Sequence, residues 1–271
     1  MTGHGISHGA VSVMNAIPCG IGSTIGIDLR TRARFEPSER TSIELAGRPE
    51  LDTNLVETCV RRTLEWIGAE TYDYHLEVET DIPPSMGLKS SSSVCNSVIR
   101  SVLDHHGINK DDLEIVRLGV SCAKECKVTI TGAFDDACGC ELGGLVITDN
   151  SKNELLNRIA IPSYDVVICI PDRNIPKSKV PVDRYRELSS QYESMVPRIA
   201  DDYLNVLTEN GRFVEDIIGG DHSLAEKAME SGALAAGISG TGPALAILTE
   251  KGRGKEISDS MGCRTIITET R

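Results

Sequence analysis

One segment constrains this chain more than any other. It is Pro83-Pro84-Ser85-Met86-Gly87-Leu88-Lys89-Ser90-Ser91-Ser92-Ser93, where a rigid turn, a glycine and four consecutive hydroxyls run into a predicted helix, Val94 to His106. The alternation of Tyr72 to Thr80 predicts a strand just before it, so the segment joins a strand to a helix. The first N–H groups of a helix lack intrahelical acceptors and lie at the positive end of the peptide dipole. A loop of small residues entering a helix there can hold a phosphate. The string G-x-x-x-x-G-K-[ST] does not occur, so this is not a Walker loop. Taken alone, the segment also reads as a serine-rich helix cap, because a serine side chain satisfies the same N–H groups.

A length of 271 residues suits two lobes better than one core. A formal net charge of −12 argues against a nucleic-acid partner, and an anionic substrate must then meet a local cluster of cations. No apolar run reaches the roughly 20 residues that span a bilayer, and Met1-Thr2-Gly3-His4-Gly5 lacks the pattern of a signal peptide. The expectation is a cytoplasmic protein with no membrane partner. Nine scattered cysteines in a reducing compartment read as small buried hydrophobes. Cys122, Cys126, Cys138 and Cys140 match no zinc-ribbon spacing, and Cys138 and Cys140 are expected on one face of a strand.

Along the chain, Gly9 to Asp28 predicts two short strands around a glycine-rich turn, and Asp52 to Gly68 a helix. A helix is expected from Lys110 to about Lys127, a break over Thr131 to Gly139, and a strand over Leu142 to Thr148. The polar run Asp149 to Asn157 marks a lobe boundary, giving lobes 1–152 and 153–271. Beyond it come a strand (Asp165 to Ile170), a long helix (Val182 to about Leu207), shorter helices near Phe213 and Leu224, strands at Ala233 to Ile238 and Ala244 to Thr249, a helix (Lys255 to Met261) and a strand (Thr265 to Thr268). The order is β-α-β-β-α-β, the split arrangement that packs two helices on one face of an antiparallel sheet. The fold class is α+β.

A third small-residue motif, Gly237-Ile238-Ser239-Gly240-Thr241-Gly242-Pro243-Ala244, reads as a tight turn that lets backbone approach a ligand. With Gly9 to Asn15 and the serine-rich loop, it resembles the three-motif signature of the GHMP kinases (galactokinase, homoserine kinase, mevalonate kinase, phosphomevalonate kinase) over nearly the whole length. P-x-x-x-G-L-x-S-S is its most specific part. The resemblance implies a two-lobed fold: an N-terminal α/β lobe that binds ATP, and a C-terminal ferredoxin-like lobe.

In the mevalonate-kinase branch a magnesium-binding glutamate stands eleven residues before a catalytic aspartate, with Gly-Gly seven residues beyond; Glu125, Asp136 and Gly143-Gly144 match those intervals. The resemblance then puts Mg2+ on Ser91 and Glu125, the triphosphate over Pro84, Ser85, Met86, Gly87, Leu88, Lys89, Ser90, Ser91 and Ser92, and Asp136 at the reacting hydroxyl. Phosphoryl transfer requires those roles: charge neutralisation, in-line placement and a group that orients or deprotonates the nucleophile. Asp135 is a rival for the last role. Ala10 stands where the family carries Lys or Arg, so either Lys89 replaces that cation or Asp136 acts mainly as an orienter.

Within the superfamily the chain resembles the archaeal-type shikimate kinases, which carry T-G-A-F-D-D-A-C, here Thr131 to Cys138, and P-x-R-x-x-x-K-S, here Pro171 to Ser178. That resemblance implies phosphorylation of shikimate, with homoserine kinase as the alternative enzyme and a catalytically silent ligand sensor as the alternative of another class. A carboxylated triol needs cations, which Arg173, Lys177, Lys179 and Arg184 offer. Asn15, Gly240, Thr241 and Gly242 are expected to hold substrate, and Ser12 and His8 are further candidates for the pocket wall.

Overall fold

The computed structural model describes residues 1–46, 53–129, 132–172 and 180–271. Its first sheet is built on a long antiparallel hairpin, β1 (Gly3–Met14) and β2 (Ile21–Pro37). These are the expected two strands, extended well beyond Gly9 and Asp28. β2 stays regular because Leu29, Thr31, Ala33 and Phe35 face the core, while Arg30 and Arg34 alternate toward solvent. β3 (Ser42–Leu45), β4 (Tyr74–Thr80), β5 (Leu145–Asp149) and β6 (Glu154–Ile159) complete the order β3-β4-β2-β5-β6, with β1 also paired to β2. The polar run after Asp149 is a turn leading into β6, which pairs with β5. The first sheet therefore continues to Ile159, past the boundary expected at residue 152.

Four helices accompany this sheet: α1 (Asn54–Ile67), α2 (Ser90–His105), α3 (Asp112–Glu125) and α4 (Phe134–Leu142). α4 occupies the stretch expected to break the pattern, so Cys138 and Cys140 belong to a helix and not to a strand. α2 lies unusually close to β1. A Cβ on Gly5 would stand 1.9 Å from the Ser97 carbonyl oxygen, and one on Gly3 would stand 2.1 Å from that of Ser101. These glycines set the distance between the hairpin and the helix that carries the serine-rich loop.

The second sheet has the order β10-β7-β9-β8, built from β7 (Tyr164–Ile170), β8 (Ala235–Ile238), β9 (Leu245–Glu250) and β10 (Arg264–Glu269), with every pair antiparallel. α7 (Ile199–Ile218) and α8 (Ser223–Glu230) lie between β7 and β8, and α9 (Gly254–Met261) between β9 and β10, giving the expected split β-α-β-β-α-β order. The long helix expected over Val182 to Leu207 is instead α5 (Val182–Arg186), α6 (Ser189–Met195), a single 3-10 turn around Pro197, and the start of α7. Proline has no N–H to continue the ladder and clashes with the preceding turn, which explains the break.

The two sheets share one core. Val11, Val13 and Ile25 of the hairpin cluster with Val166, Ile168, Leu207 and Ala246. Among the described residues, no helix is long and apolar enough to cross a membrane. The close approach of α2 to β1 generates a prediction. Gly5→Ala should lower stability in urea unfolding by at least about 2 kcal/mol, because its Cβ meets backbone that cannot move alone. Gly107→Ala, with a φ of 64° but open space around it, should cost about 1–2 kcal/mol from conformation alone.

Candidate active site

Two helix N-termini open onto one cleft. α2 starts at Ser90 after Lys89, held in the left-handed region at φ 67°, and α4 starts at Phe134 after Ala133 at φ 52°. Neither helix has a side-chain cap on its first turn from its own N-cap residue. The serines therefore do not act as the cap that the loop alone suggested; Ser90, Ser91 and Ser92 line the cleft. The cleft is also lined by Asn15, Ser85, Gly87, Leu88, Lys89, Thr129, Asp135, Asp136, Gly240, Thr241 and Gly242. Of the expected triphosphate loop, Pro84 and Met86 stand outside the lining, and Met86 packs against the shared core.

The three small-residue motifs meet at one hydroxyl. Ser239 donates to the Gly87 carbonyl at 2.8 Å and accepts from the Ser12 N–H at 3.0 Å. Ser12 in turn accepts from the Gly240 N–H at 3.0 Å and from the Lys89 ammonium at 2.7 Å. A side chain at Gly87 would collide with the Ser239 carbonyl oxygen at 1.9 Å, and its φ of 75° already disfavours one. First, second and third motifs are thus parts of one backbone-lined wall.

Lys89 resolves the question raised by Ala10. Its Nζ lies 2.9 Å from Asp136 Oδ1, and its side chain is 4% exposed, whereas Asp136 is 24% exposed and faces the cleft. A lysine from the second motif supplies the cation beside the aspartate that the first motif lacks. Asp135, the sequence rival, is buried instead. Asn150 Nδ2 donates to its Oδ1 at 2.7 Å, and burial, followed by the like charge of Asp136, pushes its carboxyl up to about 7 against the pull of Lys89.

On the facing side, Asn15 donates from Nδ2 to the Gly240 carbonyl at 2.9 Å, and its own N–H is held by Asn210 Oδ1 at 3.0 Å. Tyr192 donates to that same Asn210 oxygen at 3.1 Å. Asn210 and Tyr192 were not apparent as site residues because they lie in helices roughly 180 to 195 positions away, with helical spacing that reads as core. Arg173, Lys177 and Lys179 lie outside the described residues. Arg184 does not reach the cleft; it donates to the Ile217 carbonyl at 2.8 Å and closes the C-terminal end of α7. His8 also points elsewhere, toward Arg271 and Asp28, and burial, followed by the Arg271 charge, lowers its pKa to about 4.

The expected metal pair is divided. Ser91 is in the cleft, but Glu125, at the last turn of α3, is paired to Arg61 and lies 3.8 Å from Arg62, among the residues of a separate surface hollow. The sequence interval to Asp136 is the family's, yet this carboxylate is paired with arginines of α1 at a hollow that none of the serines lines. Among the described residues, no three His, Cys, Asp or Glu side chains gather as a metal cage. Magnesium does not need one, since it accepts one or two protein oxygens together with phosphate and water. The Ser91 hydroxyl, on the cleft wall, can supply one such oxygen.

Residues 54–144 match the GHMP kinases N terminal domain, and residues 223–267 match the GHMP kinases C terminal domain. The chain is 38% identical over 276 residues to a shikimate kinase of Methanosarcina acetivorans, covering 99% of this chain and 93% of that one. It is 34% identical to a shikimate kinase of Pyrococcus abyssi, covering 93% of each. Among solved structures it is similar to the Methanococcus jannaschii mevalonate kinase, with a TM-score of 0.80 at 16% identity over 100% of this chain and 98% of that one. The homoserine kinase of Cytophaga hutchinsonii gives a TM-score of 0.77 at 16% identity over 100% and 94%. The structural likenesses establish the fold; the two-lobe match together with the archaeal relatives at full length establishes that the chain belongs to the GHMP kinases.

Proposed function

We propose that this small-molecule kinase transfers the terminal phosphoryl group of ATP to a ring hydroxyl of shikimate, giving shikimate 3-phosphate. The observation that carries the reading is the Lys89–Asp136 pair, set between two helix N-termini on a backbone-lined cleft, in a chain whose full-length relatives are shikimate kinases.

In this reading the N–H groups of Ser90 to Ser92 and the backbone around Gly87 hold the triphosphate, since helix termini and glycine-rich loops favour anions without needing lysines. Asp136 accepts the proton of the acceptor hydroxyl as its oxygen forms the new bond to phosphorus and the bond to the departing ADP oxygen breaks. The Lys89 ammonium, 2.9 Å from Asp136 Oδ1, offsets its charge beside the phosphates. Asp135 is set apart from that role by its burial and by Asn150, which takes both its N–H and its Oδ1. Mg2+ would be held by the Ser91 hydroxyl together with phosphate oxygens and water and would, when bound, neutralise charge on the phosphate oxygens. Arg173, Lys177 and Lys179 are the proposed partners of the substrate carboxylate, and Asn15 with Gly240 to Gly242 forms the proposed acceptor wall.

An assay of ADP release with shikimate and with homoserine tests the substrate. Turnover of shikimate and not of homoserine is expected; homoserine alone would overturn the assignment, and binding of ATP and shikimate without ADP release would favour the ligand sensor. Asp136→Asn should lower kcat by about 10²- to 10⁴-fold with ATP binding retained in calorimetry. Lys89→Met should lower kcat by roughly 10²-fold or more and should also lower the melting temperature, because it leaves Asp136 beside a vacated buried site.

The raised carboxyl of Asp135 gives a pH prediction. Between its unfolded value of 3.8 and about 7 the folded chain binds the extra proton, so this group's contribution to stability is complete below 3.8 and is lost as pH rises toward 7. Melting temperatures of wild type and Asp135→Asn across that window should show a flatter fall for the variant. An equal slope in both would contradict the shift.

A further inference from the structure

A short helix that carries a reacting side chain needs its first turn fixed, and α4 lacks the usual means. Its N-cap is Ala133, which has no polar side chain to receive the first free N–H groups. That function is supplied from another element. Asn150, one residue beyond the end of β5 and 2% exposed, accepts the Asp135 N–H at 3.0 Å through Oδ1 and donates from Nδ2 to Asp135 Oδ1 at 2.7 Å. Its amide is itself fixed: Thr148 Oγ1 donates to the same Oδ1 at 2.8 Å, and the Asn150 N–H donates to the Gly20 carbonyl at 2.9 Å. From the other side, Thr24 donates to the Asp135 carbonyl at 2.9 Å.

We propose that Asn150 is a positioning residue for phosphoryl transfer: a cap in trans that grips both the N–H and the carboxylate of Asp135 and so sets the rotation of the α4 first turn that turns Asp136 toward Lys89. The grip is directional. Asn150 must present one acceptor to the backbone and one donor to the carboxylate, which asparagine does and an aspartate of the same shape cannot. Rotation matters because neighbouring helical residues are about 100° apart, and a small turn of the helix moves Asp136 off the lysine and the cleft. The inference rests on Asp136 as the proton acceptor.

The test is a pair of polarity changes read by steady-state kinetics and melting temperature on the full chain. Asn150→Asp, assayed well above pH 7 so that Asp135 is ionised, sets a second oxygen against Asp135 Oδ1. It is expected to lower kcat about 100-fold, the scale of a misplacement of roughly 1 Å, while KM for ATP stays within about threefold. Adding Asp135→Asn to that variant recreates a donor–acceptor pair with the polarity reversed, and should raise kcat by at least about tenfold over Asn150→Asp alone. A merely structural role would lower the melting temperature without this split or this recovery.

Asn150→Asp with kcat within about threefold of wild type, or a double variant no faster than the single, overturns the proposal. If Asn150→Asp does not fold, Asn150→Ser, which keeps a hydroxyl and loses the amide, is expected to show the same fall in kcat with KM held; unchanged kcat, or failure of both variants to fold, assigns Asn150 to stability alone. Asp136→Asn, measured alongside, separates the two readings. If it keeps wild-type kcat, the role of Asp136 fails whatever Asn150 does, and if it is inactive while Asn150→Asp is not, only the positioning role fails.

Discussion

The site depends on one buried ammonium. A lysine side chain at 4% exposure loses most of its hydration, and the interior tolerates it only when opposite charge and hydrogen bonds replace the water. Asp136 and Ser12 do so at 2.9 and 2.7 Å, and each partner comes from a different part of the chain. The same Ser12 binds the Gly240 N–H, and Ser239 beside it binds Gly87. Satisfying one cation therefore ties together the hairpin, the α2 entry loop, the first turn of α4 and the turn between β8 and β9. The backbone at Lys89 is left-handed, uncommon for a residue with a Cβ, at the turn from which its ammonium reaches both partners.

Much of this was readable from residue types whose physical demands are local. Glycine 87, the serines after it and the strand before it announce a helix tip open to an anion, and the split order of the C-terminal elements follows from alternation and helical period. The hairpin ends and β3 were not readable, because short polar strands are held by neighbours and not by pattern. α4 was missed for a related reason: a stretch with a Gly-Ala start and two adjacent aspartates has little helical propensity of its own, and its helix is fixed by contacts at both ends.

Sequence spacing alone does not set Glu125 on the cleft wall. An interval of eleven residues locates a carboxylate only if the connecting backbone follows one path, and here two arginines of α1 compete for the charge. Lys89 shows the converse. Its position looked anomalous against the family pattern, and the anomaly is physically coupled to Ala10: with no cation available from β1, the aspartate draws one from the loop across the cleft. Two departures that appear independent in a linear reading are one substitution in space.

α4, which carries the Asp136 paired to Lys89, is fixed at both of its ends. Its N-terminal turn carries two aspartates, which the positive end of the peptide dipole favours, and its C-terminal carbonyls meet two arginines. Arg158 donates to Leu142 and Gly143, and Arg271 donates to Glu141 at 2.5 Å. The residue that follows, Gly144, bonds the Arg271 carbonyl at 2.6 Å, and Arg271 returns a bond to Gly26 at 3.0 Å. With Asn150 and Thr24 at one end and guanidinium groups from β6 and the segment after β10 at the other, the nine-residue helix is clamped along its axis. A helix of that length is unstable alone, so its orientation is a property of those clamps. The segment after β10 reaches back to the first sheet, bridging Thr270 to Ile27, so the second lobe helps to fix the aspartate of the first.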